Sequence, residues 1–218
     1  QNSLLPGYCL TTYILIKNKH LMPRKLIKRT YRKTRYILYK ETLVNATEHF
    51  WAFVGSFIGL GIIAYLQYGQ LNKNDLVFLI GSFGASCVLV YGVIESPLAQ
   101  PRNLIGGHLV SAVIGVSVQK LFPDLLWIAA PLAVSLSIIA MQMTKTLHPP
   151  GGATALIAAT ASPQLRELGY VYVLSPVLSG CVILLIVALI FNNLTPLRKY
   201  PSAPARSKYR KLFKRYAK

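Results

Sequence analysis

A run of backbone-breaking residues, Leu147 to Thr154, separates two strongly apolar stretches and constrains the fold more than any other feature of the chain. The run holds His148, two prolines and two glycines, and the apolar residues 125–143 before it are long enough to cross a membrane. Irregular backbone is tolerated within a bilayer only where protein or a water-filled cavity surrounds it. We therefore predict a chain break followed by a new helix whose N-terminus points into the protein.

The start of that new helix is a candidate site for a small anion. Prolines are tolerated there, because the first N–H groups of a helix have no intrahelical partner. The same end carries partial positive charge and free donors. A similar small-residue segment occurs at 84–86, and we expect both segments to contribute. The candidate substrate-binding residues are His148, Gly151, Gly152, Ala153, Thr154, Gly84, Ala85, Ser86, Lys145 and His108.

Composition indicates an all-α, polytopic membrane protein. Hydrophobic residues make up 53% of the chain, charged residues only 14%, and the mean hydropathy is +0.44. The charged fraction is low for a soluble domain. We predict one transmembrane domain at 49–194, between a basic N-terminal tail at 1–48 and a basic C-terminal tail at 195–218.

The positive charge is concentrated in the two tails. Of 24 Lys and Arg residues, ten lie in 17–40, nine in 198–218, and five between. Such flanking charge is typical of cytoplasmic segments of membrane proteins and attracts anionic lipid headgroups. Residues 24–39 are amphipathic enough for an interfacial helix. Nucleic-acid binding is the less favoured interpretation, because the tails adjoin spans and topology already explains their charge.

Six apolar segments are candidate spans: 50–68, 76–94, 104–122, 125–143, 149–161 and 170–191. Six crossings return both basic tails to one, cytoplasmic-equivalent side, whereas five would separate them. We therefore favour a short, partly broken fifth span over a re-entrant one. Small residues at helical spacing, such as Gly55 with Gly59, Gly81 with Ala85, and Gly107 with Ser111 and Gly115, predict close helix packing.

The chain contains a weak internal repeat. Residues 84–90 parallel 152–158, each segment is followed by Ser-Pro, and Ser111 and Ser179 each lie 27 residues after the corresponding glycine. This pattern predicts two inverted three-helix halves with a broken helix at the proline-glycine run. Inverted halves with interrupted segments at matching positions indicate a midplane binding site in transporters. Chance recurrence of small apolar residues remains the alternative.

Several motifs together resemble those of a known family. Residues 148–155 (HPPGGATA), 81–86 (GSFGAS), 96–103 (SPLAQPRN) and 106–108 (GGH) resemble the HPP family of integral membrane proteins, over roughly residues 45 to 192. The resemblance implies a compact multi-helix membrane protein. Some plant and cyanobacterial members are associated with nitrite movement across membranes, so the resemblance implies a transporter or channel for a small inorganic anion.

Each residue that could take part in binding or proton transfer can also be interpreted as purely structural. His148 is a candidate for proton exchange coupled to the substrate, or for helix capping. Lys145 either attracts anions or is a snorkelling loop residue, and His108 is either a site residue or a packing residue. Glu95 and Arg102 bracket a polar turn, where an ion pair would fix the loop.

Other functions have less support in the sequence. The six acidic residues are scattered and no catalytic set is evident, so we do not expect an enzyme. Cys9, Cys87 and Cys181 have no metal-ligand spacing, and we expect neither a metal nor another cofactor. The alternative function is a non-transporting accessory or structural subunit of a membrane assembly. Homo-oligomers and membrane-protein partners stay open.

Overall fold

The computed structural model describes residues 46–68, 71, 73–196 and 198–202. Within these residues the chain is helical, with α1 (Ala46–Gln67), α2 (Lys73–Cys87), α3 (Pro101–Leu121), α4 (Leu126–Thr144), α5 (Pro149–Thr160), α6 (Pro163–Glu167) and α7 (Ser179–Phe191). A π-helical turn, Val88–Gly92, continues α2, and another, Val173–Leu178, leads into α7. The predicted interfacial helix and most of both basic tails lie outside the described residues.

All six predicted spans correspond to helices, but these differ in length. Four are long and apolar enough to cross a membrane: α1, α3, α4, and the continuous stretch Val173–Phe191. With its π turn, α2 extends over twenty residues, Lys73–Gly92. The 12 residues of α5 measure about 18 Å, against roughly 30 Å for the hydrocarbon core. The expectation of a short fifth helix is therefore met.

Contacts between loops show that the six long segments alternate in direction. At one end, which we call the Arg198 end, Arg198 pairs with Glu48 at the start of α1 (3.3 Å) and donates to the Tyr91 carbonyl in the turn after α2 (2.6 Å). At the opposite end, the Ser162 hydroxyl after α5 donates to Asp75 near the start of α2. The start of α1 and the chain after α7 consequently lie at the same end of the bundle.

Small residues let the parallel helices α3 and α5 approach closely. A Cβ on Gly107 would lie 2.4 Å from the His148 Cβ, and one on Gly115 would lie 2.5 Å from the Ala155 carbonyl oxygen. These distances are shorter than real Cβ contacts, so a larger residue at either position would force α3 and α5 apart. The predicted close-packing face of α3 is thus found against α5.

The two other predicted small-residue pairs have different environments. Gly55 and Gly59 on α1 receive the ring of Tyr91, whose hydroxyl would lie 2.7 Å from a Cβ on Gly59. Gly81 and Ala85 instead lie on an exposed face of α2, and a Cβ on Gly81 would meet nothing within 4 Å. The prediction that Gly81 and Ala85 bring two helices of this chain together is therefore wrong. Apolar exposed faces of this kind suit contact with lipid.

The transmembrane domain extends further along the chain than the predicted boundary at 194. Tyr200 is buried and donates from its hydroxyl to the Ala99 carbonyl at 2.8 Å. Arg198 is buried as well; burial lowers the pKa of its guanidinium, and the Glu48 carboxylate opposes that shift. Both residues belong to the packed domain because their side chains are buried and bond to its loops. The predicted ion pair between Glu95 and Arg102 is not formed, and Arg102 donates to the Thr144 carbonyl instead (2.8 Å).

Candidate functional site

His148 lies at the break that the sequence predicts, immediately before α5. Its backbone is extended (φ −141°, ψ 103°), and its side chain is fully buried. The ring Nδ1 is 2.8 Å from the Leu98 carbonyl oxygen, in the short 3-10 turn between α2 and α3. The contact with Gly107, six residues into α3, puts His148 roughly 9 Å along the helix axis from Pro101. The new helix therefore begins inside the bundle.

A second buried histidine, His108 on α3, lies beside the first, with 5.0 Å between the two ring centroids. Its Nε2 is 2.7 Å from the Ser86 hydroxyl of α2, and its Nδ1 is 2.7 Å from the Thr154 hydroxyl of α5. His108 has no solvent exposure. One imidazole thus joins three helices at the centre of the bundle.

Ser86 bonds to both histidines, and Ser82 extends the connection. The Ser86 hydroxyl lies 3.0 Å from His148 Nε2 in addition to its bond with His108. One turn earlier on α2, the Ser82 hydroxyl lies 2.9 Å from the Thr154 hydroxyl and 3.0 Å from the Pro150 carbonyl oxygen. We call Ser82, Ser86, His108, His148 and Thr154 the buried network; all five side chains are at most 2% exposed.

The start of α5 offers fewer backbone donors than the sequence suggested. Pro149 and Pro150 have no N–H, and the Gly151 N–H donates to the His148 carbonyl at 2.8 Å. Gly152, Ala153 and Thr154 are the fourth to sixth residues of the helix, where N–H groups bond to carbonyls four residues earlier. An anion at this end would therefore meet imidazole and hydroxyl groups, together with the helix dipole, rather than free amides.

The structure divides the predicted site residues into two groups. The first group meets in the buried network and consists of Ser86, His108, His148 and Thr154. Gly151 is packed close to the Ser111 hydroxyl, which would lie 2.8 Å from a Cβ added to this glycine. The others lie apart from the network: Gly84 beside an apolar groove, Ala85 on an exposed face, Gly152 and Ala153 half-buried on α5, and Lys145 exposed.

Lys145 has a structural role at the end of α4. Its φ of 58° is left-handed, its N–H donates to the Gln142 carbonyl, and the next N–H, of Thr146, donates to the Met141 carbonyl. This pair of bonds is the Schellman arrangement that ends many helices. Lys145 therefore ends α4 through its backbone, and both interpretations of its exposed side chain stay predictions.

Sequence reasoning missed four contributors to the site. Ser82 lies in the GSFGAS segment, and its spacing of four from Ser86 puts both hydroxyls on one face of α2. Tyr172 donates to the Thr154 carbonyl at 3.3 Å, and the Leu98 carbonyl holds His148. Ser111 is fully buried, and its hydroxyl has no hydrogen-bond partner among the described residues. Only Ser82 carried a signal that the sequence could have revealed.

Within the described residues, no three His, Cys, Asp or Glu side chains cluster closely enough to hold a metal ion. The network consists of two imidazoles and three hydroxyls, each of which can both donate and accept a hydrogen bond.

Together, the alternating apolar helices and the buried polar centre define a polytopic α-helical membrane protein. The family model "HPP, transmembrane region" matches residues 41–201, which include every helix described above. The chain therefore belongs to the HPP transmembrane family. The match also reaches Arg198 and Tyr200, in agreement with their packing on the domain.

Two curated relatives, both described as transmembrane proteins of Dictyostelium discoideum, are similar to this chain. One is 47% identical over 154 residues, covering 69% of this chain and 49% of the relative; the other is 46% identical, covering 69% and 54%. The chain thus spans about half the length of the curated relatives that it matches. No solved structure matches it.

Proposed function

We propose that this protein transports a small inorganic anion across the membrane, and that the buried network is the polar part of the path. The observation that carries the proposal is a pair of fully buried histidines joined through Ser86, at the start of a helix that begins inside the bundle. Ionisable groups within membrane domains are costly to bury and commonly mark ion or proton pathways. Nitrite is the first substrate to test, on the strength of the family resemblance.

The chemistry of the network suits a small monovalent anion. Hydroxyl and imidazole N–H groups are donors of moderate strength, and the dipole of α5 adds partial positive charge at His148. A permanently charged guanidinium in the same place would bind an anion too tightly for release, because conduction needs sites that are easily vacated. The exposed Lys145 and Arg102, both near the Arg198 end, would raise the local anion concentration.

The described arrangement is a closed one. Ser86, His108 and His148 have no exposure, so an anion reaches them only if the helices around them separate. The α2–α5 contact rests on few polar bonds near the network, chiefly those from Ser82 to Thr154 and to the Pro150 carbonyl. We infer that opening separates α2 from α5, while the glycine-packed pair α3 and α5 moves together.

The membrane context completes the proposal. The apolar outer faces contact lipid, and the basic tails bind anionic headgroups on the cytoplasmic-equivalent side, where both ends of the domain then lie. The proposal includes neither a cofactor nor a nucleic acid as a partner.

Transport is tested with purified protein in liposomes, by following nitrite entry under imposed pH gradients. We expect faster entry than into protein-free vesicles, and a loss of about tenfold or more for His148→Ala, since one lost charge-assisted bond of about 1.5–3 kcal/mol corresponds to at least that factor. Thr154→Val should slow entry too. Thr160→Val is the matched control, because Thr160 is exposed on the same helix and bonds only to its own helix.

Entry equal to that of protein-free vesicles under both gradient directions would contradict the transport proposal. Equal slowing by Thr154→Val and Thr160→Val would instead show that the network is not the path. Chloride, nitrate and formate entry, measured in the same vesicles, would define the anion class.

Catalysis is the less favoured alternative for the same residues. A serine bonded to a histidine is a common nucleophile and base pair, and Ser86 lies 3.0 Å from His148 Nε2. However, Ser86 is shared with a second histidine and has no exposure, whereas a nucleophile needs a substrate within reach. We therefore propose a relay role rather than a nucleophilic one.

An accessory role is favoured by one surface. The outer face of α1 exposes Phe53 and Phe57 (65% and 69% exposed) beside an apolar groove of about 500 Å³ between α1 and α2. A membrane-protein partner would cover such a face. Purification in mild detergent should then recover a stoichiometric partner, which Phe53→Ala with Phe57→Ala would release, whereas the exposed aromatic Trp127→Ala on α4 would not.

A further inference from the structure

We propose that the buried network takes up a single proton as one unit: His148 becomes an imidazolium while His108 exchanges tautomer and three hydroxyls reverse direction. The inference rests on the proposed function, because it assigns the proton-handling step to the same five residues. It follows from the hydrogen-bond geometry, in which each polar atom of the network has a defined partner.

The bond from His148 to the Leu98 carbonyl determines which atom donates in every other bond of the network. A carbonyl oxygen only accepts, so the bond to Leu98 requires a proton on His148 Nδ1. In neutral His148 the Nε2 then accepts from the Ser86 hydroxyl. Ser86 in turn accepts from His108 Nε2–H, which leaves His108 Nδ1 as the acceptor of the Thr154 hydroxyl. Ser82 donates to Thr154 and completes an unbroken chain in which every proton points towards Leu98.

Adding one proton at the Ser82 end gives a second arrangement that is equally complete. Each bonded proton passes to its acceptor: from Ser82 to Thr154, from Thr154 to His108 Nδ1, from His108 Nε2 to Ser86, and from Ser86 to His148 Nε2. The donor is a hydronium ion or a protonated acid, which leaves as water or as the acid's anion. His148 now carries protons on both nitrogens and His108 carries one on Nδ1.

The second arrangement also has a place for the last proton. Once Thr154 donates to Ser82, the Ser82 hydroxyl needs another acceptor, and the Pro150 carbonyl oxygen lies 3.0 Å away. That carbonyl accepts no side-chain proton in the first arrangement, and its second lone pair remains available beside the backbone bond of the helix. Both arrangements therefore satisfy every N–H and O–H of the network, and they differ by one proton. The Ser86 hydroxyl also has the Ser82 carbonyl oxygen as an acceptor at 3.3 Å, but His108 Nε2 at 2.7 Å is the closer one. Donation to that carbonyl would make Ser86 accept from both rings over one longer bond, and the arrangement that uses the shorter bond is therefore favoured.

The groups around the network leave this proton count unchanged. The phenol of Tyr172, from the segment before α7, donates to the Thr154 carbonyl and not to the side chain. The Asp75 carboxylate of α2 accepts from Ser162 after the end of α5, and the Cys181 thiol of α7 faces the Leu104 carbonyl of α3. Cys87 follows Ser86 on α2 and lines the apolar groove beside α1, the Ser111 hydroxyl of α3 lies against Gly151, and Lys145 after α4 is exposed.

The test is solid-state NMR of ¹⁵N-histidine-labelled full-length protein in lipid bilayers, followed over a pH series without any anion substrate. His20→Gln with His49→Gln leaves only the two network histidines. We expect His148 to gain its second proton, and His108 to change from Nε2–H to Nδ1–H, at one common midpoint, as coupled groups do. The inference is overturned if His108 keeps its tautomer, if both rings become doubly protonated, or if the two midpoints differ.

Two substitutions test whether the two histidines titrate together through Ser86 or are merely close to each other. Ser86→Ala interrupts the chain, so His108 should no longer follow His148, whereas Thr154→Ser keeps every hydroxyl and should preserve the common midpoint. Ser56→Ala, which removes an exposed hydroxyl on α1, is the matched control. Should Ser86→Ala fail to fold, the Thr154→Ser titration still decides: separate midpoints there would contradict the inference.

Titration and transport measured on the same protein distinguish this inference from the proposed function. Coupled titration without entry of nitrite, chloride, nitrate or formate into liposomes would support the proton unit and contradict the transport proposal. Nitrite entry with independently titrating histidines would do the reverse.

Discussion

Gly107 shows at the scale of one residue how tightly the site is built. A Cβ there would lie 2.4 Å from the His148 Cβ and 2.8 Å from the Thr146 carbonyl oxygen, and neither atom belongs to a flexible side-chain end. We expect Gly107→Ala to destabilise the protein by about 1–3 kcal/mol, the usual cost of overpacking. Thermal unfolding in detergent should show a Tm lowered by roughly 2–4 °C per kcal/mol.

Gly81→Ala is the control for that substitution. Gly81 is also helical, but an added Cβ would meet nothing within 4 Å. Alanine there should leave the Tm unchanged or raise it slightly, because alanine favours helix over glycine by up to about 1 kcal/mol. Equal effects of the two substitutions would show that α3 and α5 are less closely packed than described.

Only some of the residues in the site could be predicted from the sequence, and individual residues show why. His108, His148, Ser86 and Thr154 are polar groups within apolar segments, and burying them without partners would be expensive. The sequence therefore indicates that they have partners, but not which ones. The Leu98 carbonyl could not be foreseen, because a backbone acceptor has no side-chain signature. Gly84 and Ala85 were assigned to the site from an internal likeness alone, and they face elsewhere.

At the scale of elements, hydropathy predicted the six helical segments and their approximate bounds, because each needs an apolar surface against lipid. It did not predict the π turns at Val88–Gly92 and Val173–Leu178, which depend on the packing of neighbouring helices. The inverted repeat stays a prediction. A shift of 68 residues, from Gly84 to Gly152, puts His108 at the position of Pro176, so the histidine pair itself has no symmetric counterpart.

The two prolines at the start of α5 can be tested by substitution. Pro149 is exposed and Pro150 is buried, and neither position has a carbonyl available one turn earlier in the helix. We expect Pro150→Ala to add a buried N–H without an acceptor and to cost about 1–3 kcal/mol. Pro149→Ala should cost less, since position 149 is exposed and its new N–H is not enclosed by the packed core. Denaturation of both variants in the same detergent gives the comparison, and an equal loss would contradict the argument.

At the scale of the whole molecule, Arg198 joins the first helix to the last segment. Its guanidinium pairs with Glu48 and donates to the carbonyls of Glu48 and Tyr91 and to the Asn192 side chain. Arg198→Ala should reduce stability by about 1.5–3 kcal/mol, the range for charge-assisted bonds, because Glu48 retains some exposure. Lys199→Ala, next to it and exposed, should have no effect on the Tm. A harmless Arg198→Ala would show that the two ends are held together by the apolar core alone.

The direction of α5 decides the topology of the whole molecule, and cysteine labelling can measure it. Lys145 is exposed before α5 and Glu167 is exposed after it, whereas the contact between Ser162 and Asp75 puts the end of α5 beside the start of α2. In a background with Cys9, Cys87 and Cys181 replaced by alanine, Lys145→Cys and Glu167→Cys should react with a membrane-impermeant maleimide from opposite sides of sealed vesicles. Glu95→Cys, also at the Arg198 end, should label together with Lys145→Cys. Labelling of Lys145→Cys and Glu167→Cys from one side would mean that α5 re-enters, and the basic tails would then lie on opposite faces of the membrane.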